Sequence, residues 1–376
     1  MSGASLPSSC QPLMMRGSVM VDRRRTTPSA RPLVRRRRAV ALAAGLAGGA
    51  MLFAACGSSS PDASSSGSGP LPKLRVVVAT TDPSSTPVFV AKQAGLFAAE
   101  GVDVDLTVAG ANTVTSVTSG QADIAQGGAL APITVAKQGK DTAILFWALG
   151  NKAAGFVVGK PGITSLDQCK TVITSTEATS PFGWVTAYKR ALGLDYRIIA
   201  SQDVPAISAT VAAGTNDCGG STYGQFTSGI AAGKMSLIID PRDPSKLPAA
   251  VRDLNFIDSG FWGMKANLPP LKDQLVRFVR GMEKAMTYIK DHTGTQLAEL
   301  LYQREDWKAI PKADLAQLID SQRFAWLPDG GRITEQAWAG VTTFVQNMGL
   351  TYVTTSDPTW SYASRVDMSY LDAATR

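Results

Sequence analysis

Short apolar runs of strand length alternate with segments of helical spacing along the first part of the chain. Strands are predicted at 74–79, 102–108, 122–125 and 142–148. Between them, apolar residues recur every three or four positions, which predicts helices at 87–100, 112–120 and 127–137. Because strands and helices take turns, the pattern predicts a parallel sheet with helices packed on its faces.

A second series of the same kind follows a cluster of turn-forming residues at 159–162. Its predicted strands and helices lie at 171–174, 181–192, 196–200, 204–213 and 236–239. After about residue 255 the spacing becomes mostly helical, with apolar stripes within 271–289, 315–319 and 338–348. A chain of 376 residues is also too long for one small core. We therefore predict an α/β protein of two lobes with a helical C-terminal region.

The net charge of +7 suggests a nucleic-acid-binding protein until the charge is located along the chain. Residues 1–55 contain nine Arg, no Lys and a single acidic residue, Asp22. The rest of the chain has 28 basic and 29 acidic residues and is close to neutral. The basic character therefore belongs to the N-terminal segment, and the remainder gives no electrostatic reason to expect nucleic-acid binding.

The first 55 residues have the organisation of an export signal. Four consecutive Arg at 35–38 precede an uncharged, Ala- and Gly-rich run at 39–55, which ends directly before Cys56. The small residues before Cys56 resemble a bacterial lipobox, in which the Cys is lipidated. The alternative is a transmembrane anchor with Cys56 as an ordinary residue, although 17 residues are at the lower limit for a span. We predict a signal peptide at 1–55 and a lipid-anchored flexible linker at 56–72, which would hold the folded body on the outer face of the cell membrane.

Two further cysteines, Cys169 and Cys218, lie in the folded body. An exported protein meets an oxidising environment, which favours a disulfide between them over two separate buried thiols. A zinc site is not expected, because His292 is the only histidine of the chain.

The chain lacks the common sequence signatures of catalysis. It contains no G-x-x-x-x-G-K-[ST] phosphate loop and no G-x-S-x-G nucleophile motif. His292, the sole candidate base for a nucleophilic triad, lies at the end of a helical stripe, where a structural role is favoured. We predict a protein that is not an enzyme and that uses no metal or cofactor.

Three loops of small polar residues come directly before predicted helices, at 80–87, 126–129 and 175–181. The C-terminal ends of parallel strands line the ligand crevice of α/β proteins, and helix N-termini there suit anions. Simple helix capping explains each loop equally well when it is taken alone. Nearby aromatic residues either cover a ligand or belong to the core; they are Trp147, Phe182, Trp184, Tyr223, Phe261 and Trp262.

Three motifs carry a resemblance to a known family. They are the apolar strand at 74–78, the pattern A-K-x-x-G-L-F followed by E-G-V-D-V within 91–104, and G-Q-A-D-I at 120–124. In this combination the chain resembles the nitrate-, sulfonate-, taurine- and thiamine-precursor-binding proteins of bacterial ABC importers, over residues 74–260.

The resemblance implies a type II periplasmic-binding-protein-like fold, in which two parallel-sheet lobes close on a ligand. The first lobe would comprise 73–160 and 257–376, which includes the C-terminal helices, and the second lobe 161–256. The residues that match the family's ligand-binding loops are Asp82, Ser84, Ser85, Gly128, Ala129, Asn151, Ser180, Phe182 and Tyr223.

The function that the resemblance implies is capture of a small organic solute, such as a sulfonate-, taurine- or nitrate-like anion, by a monomer that delivers it to a membrane permease with its ATPase. A thiamine-pyrimidine-precursor ligand, a same-fold enzyme resembling a pyrimidine synthase and a signalling receptor lipoprotein stay open as alternatives. The predicted loops contain no Arg or Lys except Lys152.

Overall fold

A computed structural model describes residues 69–376, except 140–142, 153, 154, 178, 253, 327–329 and 355. The predicted signal peptide, Cys56 and most of the predicted linker lie outside the described residues. The strands are β1 (Lys73–Val78), β2 (Asp103–Val108), β3 (Ile124–Gly127), β4 (Ala143–Lys152), β5 (Phe156–Gly159), β6 (Thr171–Thr174), β7 (Arg197–Ala200), β8 (Cys218–Ser221), β9 (Ser236–Ile239) and β10 (Asn255–Met264). The α-helices are α1 (Thr86–Gln93), α2 (Leu96–Ala99), α3 (Thr113–Thr118), α4 (Leu130–Lys137), α5 (Ser180–Ala191), α6 (Val204–Ala212), α7 (Thr227–Ala231), α8 (Ala249–Arg252), α9 (Lys272–Asp291), α10 (Gly294–Leu301), α11 (Lys312–Gln322), α12 (Glu335–Asn347), α13 (Tyr362–Arg365) and α14 (Ser369–Ala374).

The strands form two five-stranded sheets, in the orders β2-β1-β3-β10-β4 and β7-β6-β8-β5-β9. Each sheet defines one lobe. In the first lobe β1, β2 and β3 run parallel, and β10 is antiparallel to its neighbours. In the second lobe β6, β7 and β8 run parallel, and β5 is antiparallel. The predicted parallel strands are thus present in both lobes. Each sheet is nevertheless mixed. The chain reaches β5 directly from the first lobe and β10 directly from the second, without the helical crossover that joins parallel strands of one sheet, and both strands run antiparallel to their neighbours.

The chain passes between the lobes twice. It leaves the first sheet at the end of β4 and enters the second sheet with β5, at Phe156, a few residues before the predicted boundary at 160. It returns with β10, which begins at Asn255, close to the predicted return at 257. The two crossings place β5 and β10 beside the parallel strands of their lobes and connect the lobes through extended backbone.

The family-like motifs have structural roles in the first lobe. Asp123 of the G-Q-A-D-I motif accepts a hydrogen bond from the backbone N–H of Arg75 at 2.7 Å and pairs with the Arg75 guanidinium, which locks β3 beside β1. In the other motif Gly95 adopts φ +71° and ends α1, and Phe97 stacks on Phe278 of α9 at 4.9 Å. These motif residues therefore stabilise the first lobe, and their contacts give no information about the ligand.

The C-terminal helices cover both lobes. The predicted stripe of α9 is buried against the first lobe, where Leu275, Phe278 and Met282 have no exposure. In contrast, α12 packs on β10 and on α5 of the second lobe: Phe344 stacks on Phe256 at 4.3 Å, and Met348 covers Gly183. The C-terminal region, assigned by prediction to the first lobe, therefore contacts both.

Cys169 and Cys218 are joined by a disulfide, with their Cα atoms 5.9 Å apart. The bond connects the segment before β6 to the first residue of β8 and so lies inside the second lobe. Within the described part of the chain, no helix has the length and apolar character needed to cross a bilayer.

Candidate functional site

A cavity of about 880 Å³ lies between the two lobes. Its walls come from segments within 79–85, 126–128, 175–184, 204–205, 221–227, 258–259 and 309–322. The parallel strands β1, β3, β6 and β8 each end at or directly before one of these segments. The C-terminal edges of both sheets therefore face the same space, which is the position where α/β sheets bind ligands.

The first loop is organised by the carboxylate of Asp82. Its Oδ1 accepts hydrogen bonds from the backbone N–H of Ser84 at 2.8 Å and from the Ser84 hydroxyl, and its Oδ2 accepts one from the Thr80 hydroxyl at 3.0 Å. The next backbone N–H, of Ser85, donates to the Asp82 carbonyl at 2.9 Å. Asp82 therefore occupies donors that an anionic ligand would otherwise use.

The second loop brings the two lobes into contact at a glycine. A Cβ atom on Gly128 would lie 2.5 Å from the carbonyl oxygen of Asp258 and 3.0 Å from the Ser180 hydroxyl of the second lobe. The following N–H, of Ala129, donates to the Ile257 carbonyl at 2.9 Å. The position requires glycine because the backbone of β10 and the start of α5 approach so closely.

The third loop leads into α5, which begins at Ser180 with Pro181 as its second residue. The residue before the helix, Thr179, is extended and makes no side-chain capping bond, and the Ser180 hydroxyl points to the Asp258 carbonyl at 3.5 Å. One turn later Trp184 lines the cavity and is 2% exposed. Its indole packs on Gly155 of the crossing segment, where a Cβ atom would lie 2.5 Å away.

Asp258 on the crossing strand β10 is the most perturbed acid at the cavity. Burial raises the pKa of its carboxyl to about 7; the charge of Asp82 adds to the rise, while Ser180 and Trp184 beside it act in the opposite direction. The residue is partly exposed to the cavity, but its Oδ1 is fully covered and accepts no hydrogen bond from the described residues. A carboxyl in this environment is a candidate for direct contact with a ligand.

Two other buried polar groups of the cavity wall lack partners among the described residues. Gln126 donates from Nε2 to the Ser84 carbonyl at 3.1 Å and to the Ser259 hydroxyl at 3.0 Å, which leaves its Oε1 unbonded. The indole Nε1 of Trp184 is likewise buried and unbonded. Buried polar groups normally have partners. Unbonded buried polar atoms also occur elsewhere in the described structure, for example on Trp307 and Trp326. Gln126, Trp184 and Asp258 differ from these because all three line the same cavity, where a bound molecule would complete this set of polar atoms.

The charges of the cavity wall have a single sign. Asp82, Asp258 and Asp314 contribute carboxyl groups, and none of the described residues that line the cavity is Lys, Arg or His. Asp314 is exposed at the rim, in the first turn of α11. The wall also includes apolar surface from Trp184, Ile310 and Leu318 among others.

Five of the nine predicted ligand-binding residues line this cavity: Asp82, Ser84, Ser85, Gly128 and Ser180. The other four do not share that position in the described structure. Ala129 is completely buried, and Phe182 is half-buried against the core. Tyr223 lies between two lining residues but stacks on Phe156 at 5.2 Å and under Arg242. Asn151 is in β4, and its side chain is not among those described.

Several lining residues were not predicted as ligand-binding. Asp258 and Ser259 lie on β10, in a stretch where the sequence shows neither strand alternation nor a polar loop. The segment 309–322 reaches the cavity from the C-terminal region, and nothing in its local sequence signals that position. A single acid within an otherwise apolar run was the one available signal for Asp258.

His292 has a structural environment. Its Nδ1 lies 2.7 Å from the Tyr288 carbonyl, its ring stacks on Tyr288 at 3.8 Å, and Arg323 donates to its carbonyl at 2.6 Å. It is not part of the cavity wall. Among the described residues, no group of three His, Cys, Asp or Glu side chains is arranged to hold a metal ion.

Comparison with known proteins supports the resemblance seen in the motifs. Residues 82–161 match the profile of the family described as NMT1/THI5 like. A search of curated protein sequences gave no match.

Solved structures share the fold at low sequence identity. A ligand-binding component of an ABC-type import system from Staphylococcus aureus is 14% identical, with 81% of this chain and 99% of that chain covered and a TM-score of 0.61. The periplasmic aliphatic sulphonate binding protein SsuA from Escherichia coli is 16% identical, covering 75% and 92% with a TM-score of 0.58. The periplasmic nitrate-binding protein NrtA from Synechocystis is 13% identical, covering 81% and 89% with a TM-score of 0.60.

These similarities agree with the fold described above. The predicted fold and the predicted family resemblance are confirmed. The structure adds three strands to the predicted sheets: the antiparallel β5 and β10, and β8, which runs parallel to β6. The chain therefore has the fold of the periplasmic binding proteins, and its segment 82–161 carries the sequence pattern of the NMT1/THI5-like family.

Proposed function

We propose that this protein is the extracytoplasmic solute-binding component of an ABC importer, which captures a small organic solute and delivers it to a membrane permease. The observation that carries the proposal is the cavity between the lobes, into which both sheets direct their C-terminal edges and three buried polar groups without partners. The solved relatives with this fold include proteins described as sulphonate-binding, nitrate-binding and ligand-binding components of import systems.

Binding is proposed to act through closure of the lobes. The contact between Gly128 of the first lobe and Ser180 of the second lobe closes one side of the cavity. On another side α11 spans the opening, because Leu318 contacts Gly224 of the second lobe and the same helix packs against the turn at Pro83–Ser85. A solute that touches both walls favours the closed arrangement by its differential affinity for the two states.

A role without covalent chemistry fits the wall of the cavity. The lining residues that the structure describes contain no His, Cys or Lys, and the only His of the chain is held in a structural contact with Tyr288. The competing function is a same-fold enzyme with Asp258 as acid or base, since its pKa of about 7 suits proton transfer. Conversion of a bound solute to a product of different mass would favour the enzyme.

The proposed setting follows from the N-terminal sequence. Lipidation of Cys56 and the flexible linker would hold a monomeric body on the outer face of the membrane, within reach of a permease and its separate ATPase. Mass spectrometry of the N-terminal peptide of the membrane-bound protein tests this step. Attachment of about two acyl chains or more to Cys56 is expected, since one chain anchors only marginally. An unmodified Cys56 within an intact N-terminal segment would contradict it.

A screen for ligand-induced stabilisation tests the binding function. A solute at a hundred times its Kd raises the free energy of unfolding by about 2.7 kcal/mol, which gives a readily measured rise in Tm. Small-angle scattering with the same solute is expected to show a smaller radius of gyration. If no small solute of any charge stabilises or compacts the protein, the proposed function is wrong.

A further inference from the structure

We propose that the cavity selects a cationic organic solute, one that carries an ammonium or amidinium group on an apolar body, with Asp258 as its counter-ion. The inference rests on the proposed binding function and narrows it to a substrate class. It departs from the sulfonate- or nitrate-like anion that the family resemblance implies.

The first argument is the charge of the wall. Carboxyl groups reach the cavity from three separate elements, through Asp82, Asp258 and Asp314, without a basic residue among the described lining residues. Basic side chains that flank the cavity segments are paired with acids outside it: Arg242 with Asp240 at 2.7 Å, and Lys308 with Glu305 at 2.8 Å. An anion entering this space would meet repulsion without compensation, whereas a cation gains from every charge.

The second argument is that the backbone donors of the loops are already used. The carboxylate of Asp82 accepts from the N–H of Ser84, and the N–H of Ala129 donates to the Ile257 carbonyl. In the third loop Pro181 has no N–H to offer. In two of the three loops, backbone donors that would otherwise bind an anion are therefore occupied by the protein's own acceptors, and the third loop has one donor fewer at Pro181.

The third argument is the polarity of the unbonded atoms. The amide of Gln126 is fixed in orientation, because its Nε2 faces the Ser84 carbonyl, which can only accept. Its free Oε1 is therefore an acceptor, and the free Oδ1 of Asp258 is a second acceptor when ionised. The one buried donor without a partner at normal hydrogen-bond distance is the Trp184 indole N–H, and it faces the Asp258 carboxyl and lowers its pKa as a hydrogen-bond donor, so it serves that carboxyl rather than a ligand. A ligand that satisfies both acceptors must present hydrogen-bond donors, and an ammonium or amidinium presents several N–H donors together with the positive charge that an ionised carboxyl favours.

The remaining wall indicates what the cationic group is attached to. Val108, Val204, Ile310 and Leu318 contribute apolar surface, and Trp184 is buried beside Asp258. A small inorganic cation is a poor fit, since no three ligating side chains come together among the described residues. The cavity thus fits a solute with one charged end and an apolar end.

The environment of Asp258 predicts how affinity depends on pH. The groups that face it are Asp82 from the first loop and Ser180, Trp184 and Tyr188 from α5, and the charge of Asp82 acts against ionisation of Asp258. A bound cation lowers the pKa of Asp258 and displaces its proton. Cation affinity should therefore rise between about pH 6 and about pH 8 and level off above that range.

Isosteric probes of different charge test the proposal directly. Benzamidine, benzamide and benzenesulfonate share a ring and carry positive, neutral and negative groups; butylammonium, butanamide and butanesulfonate make an aliphatic set. Titration calorimetry and Tm measurements with the purified protein at pH 8 are expected to show binding of at least one cation. The neutral and anionic isosteres of that cation should bind with at least tenfold lower affinity. A factor of about ten is what one unpaired buried polar group costs.

Variants then assign the counter-ion. Asp258→Asn is expected to lose about 30-fold or more in cation affinity and to remove the rise with pH. The matched control is Asp195→Asn, the same chemical change at an exposed residue outside the cavity wall, which should bind as the unchanged protein does.

Three results would overturn the proposal: preferential binding of the anions, equal binding of cation and neutral isostere, or no binding of any cation at millimolar concentration. If Asp258→Asn binds the cation with unchanged affinity, another group must be the counter-ion, and the assignment of Asp258 is refuted. Anion or neutral binding with compaction of the protein would leave the importer function intact, whereas failure of every solute would refute both.

Discussion

Replacement of Asp258 by Asn should stabilise the ligand-free protein, and the gain should depend on pH. Asp258 has an ordinary pKa of 3.8 and a value of about 7 in the folded protein, because burial disfavours its charged form. Between these values the folded state holds a proton that the unfolded chain has released, so the unchanged protein loses stability as pH rises from about 4 to about 7. The amide of the Asp258→Asn variant is neutral at every pH, so the variant escapes that loss.

The size of the effect follows from the two pKa values. At 1.36 kcal/mol per tenfold change, the stability that the unchanged protein loses relative to pH values below both pKa values reaches about 4 kcal/mol at pH 8 and about 1.5 kcal/mol at pH 5. These are upper values, because Asp258 is partly exposed to the cavity and solvent there reduces the cost. The free energy of unfolding of the variant should therefore exceed that of the unchanged protein by about 2 kcal/mol at pH 8, and by less at pH 5.

Urea unfolding of both proteins at pH 5 and pH 8, without added solute, measures this difference. Asp195→Asn is the control, since Asp195 is exposed and should change little at either pH. A destabilised Asp258→Asn protein at pH 8, or a gain of equal size at both values, would show that burial does not disfavour the charged carboxylate. The same variant should lose cation binding, so that stability and binding move in opposite directions, as expected for a residue kept for function.

Other substitutions test the closed cavity and the supporting structure. Gly128→Val should abolish solute binding while the protein stays folded, because the side chain would push against the Asp258 carbonyl. Gly69→Val is the control, since Gly69 is not part of the cavity wall and a Cβ atom there would meet no atom within 4 Å. Equal solute binding by both variants would remove the site assignment. Reduction of the Cys169–Cys218 disulfide, which closes 49 residues, should lower the free energy of unfolding by about 4 kcal/mol in urea titrations, and an unchanged midpoint would contradict that role. His292→Ala should leave solute affinity unaltered, as measured by calorimetry, because His292 contacts Tyr288 away from the cavity.

The architecture could be predicted from the sequence because its strands and helices have regular patterns. β6 and β9 lie where the apolar runs placed them, and α5 and α9 match their predicted stripes to within a residue or two. The family motifs allowed the fold to be predicted because their residues hold the first lobe together, as Asp123 does by its hydrogen bond with Arg75. Local patterns of this kind are strong wherever one face of an element is buried.

β10 could not be predicted in the same way. The pattern after about residue 255 is mostly helical, yet Asn255–Met264 is a ten-residue strand. The strand is buried over much of its length and contains three irregularities in its pairing with β4, so its side chains do not alternate along the sequence. Asp258 is part of this strand. The residue that we propose as the counter-ion of the solute therefore lies in an element that the sequence pattern did not predict.

The site could be predicted only where it coincides with loops at strand ends. Asp82, Ser84, Gly128 and Ser180 lie in loops that this rule identified, and the family resemblance named them within those loops. The C-terminal wall from 309 to 322 reaches the cavity through tertiary packing of α11, which has no signature in local sequence. The anionic ligand implied by the resemblance rests on similarity of fold alone. The carboxyl groups of the cavity wall favour a cationic solute instead.

The most direct test of the account is native mass spectrometry of the purified protein, followed by identification of any small molecule that is released on denaturation. It shows whether the cavity between the lobes holds a bound ligand. One cationic molecule per chain is predicted, recovered with its mass unchanged, retained by Gly69→Val and absent from Gly128→Val. A protein that carries nothing even after incubation with the cationic probes, or that returns them as altered products, would contradict a binding protein of this kind.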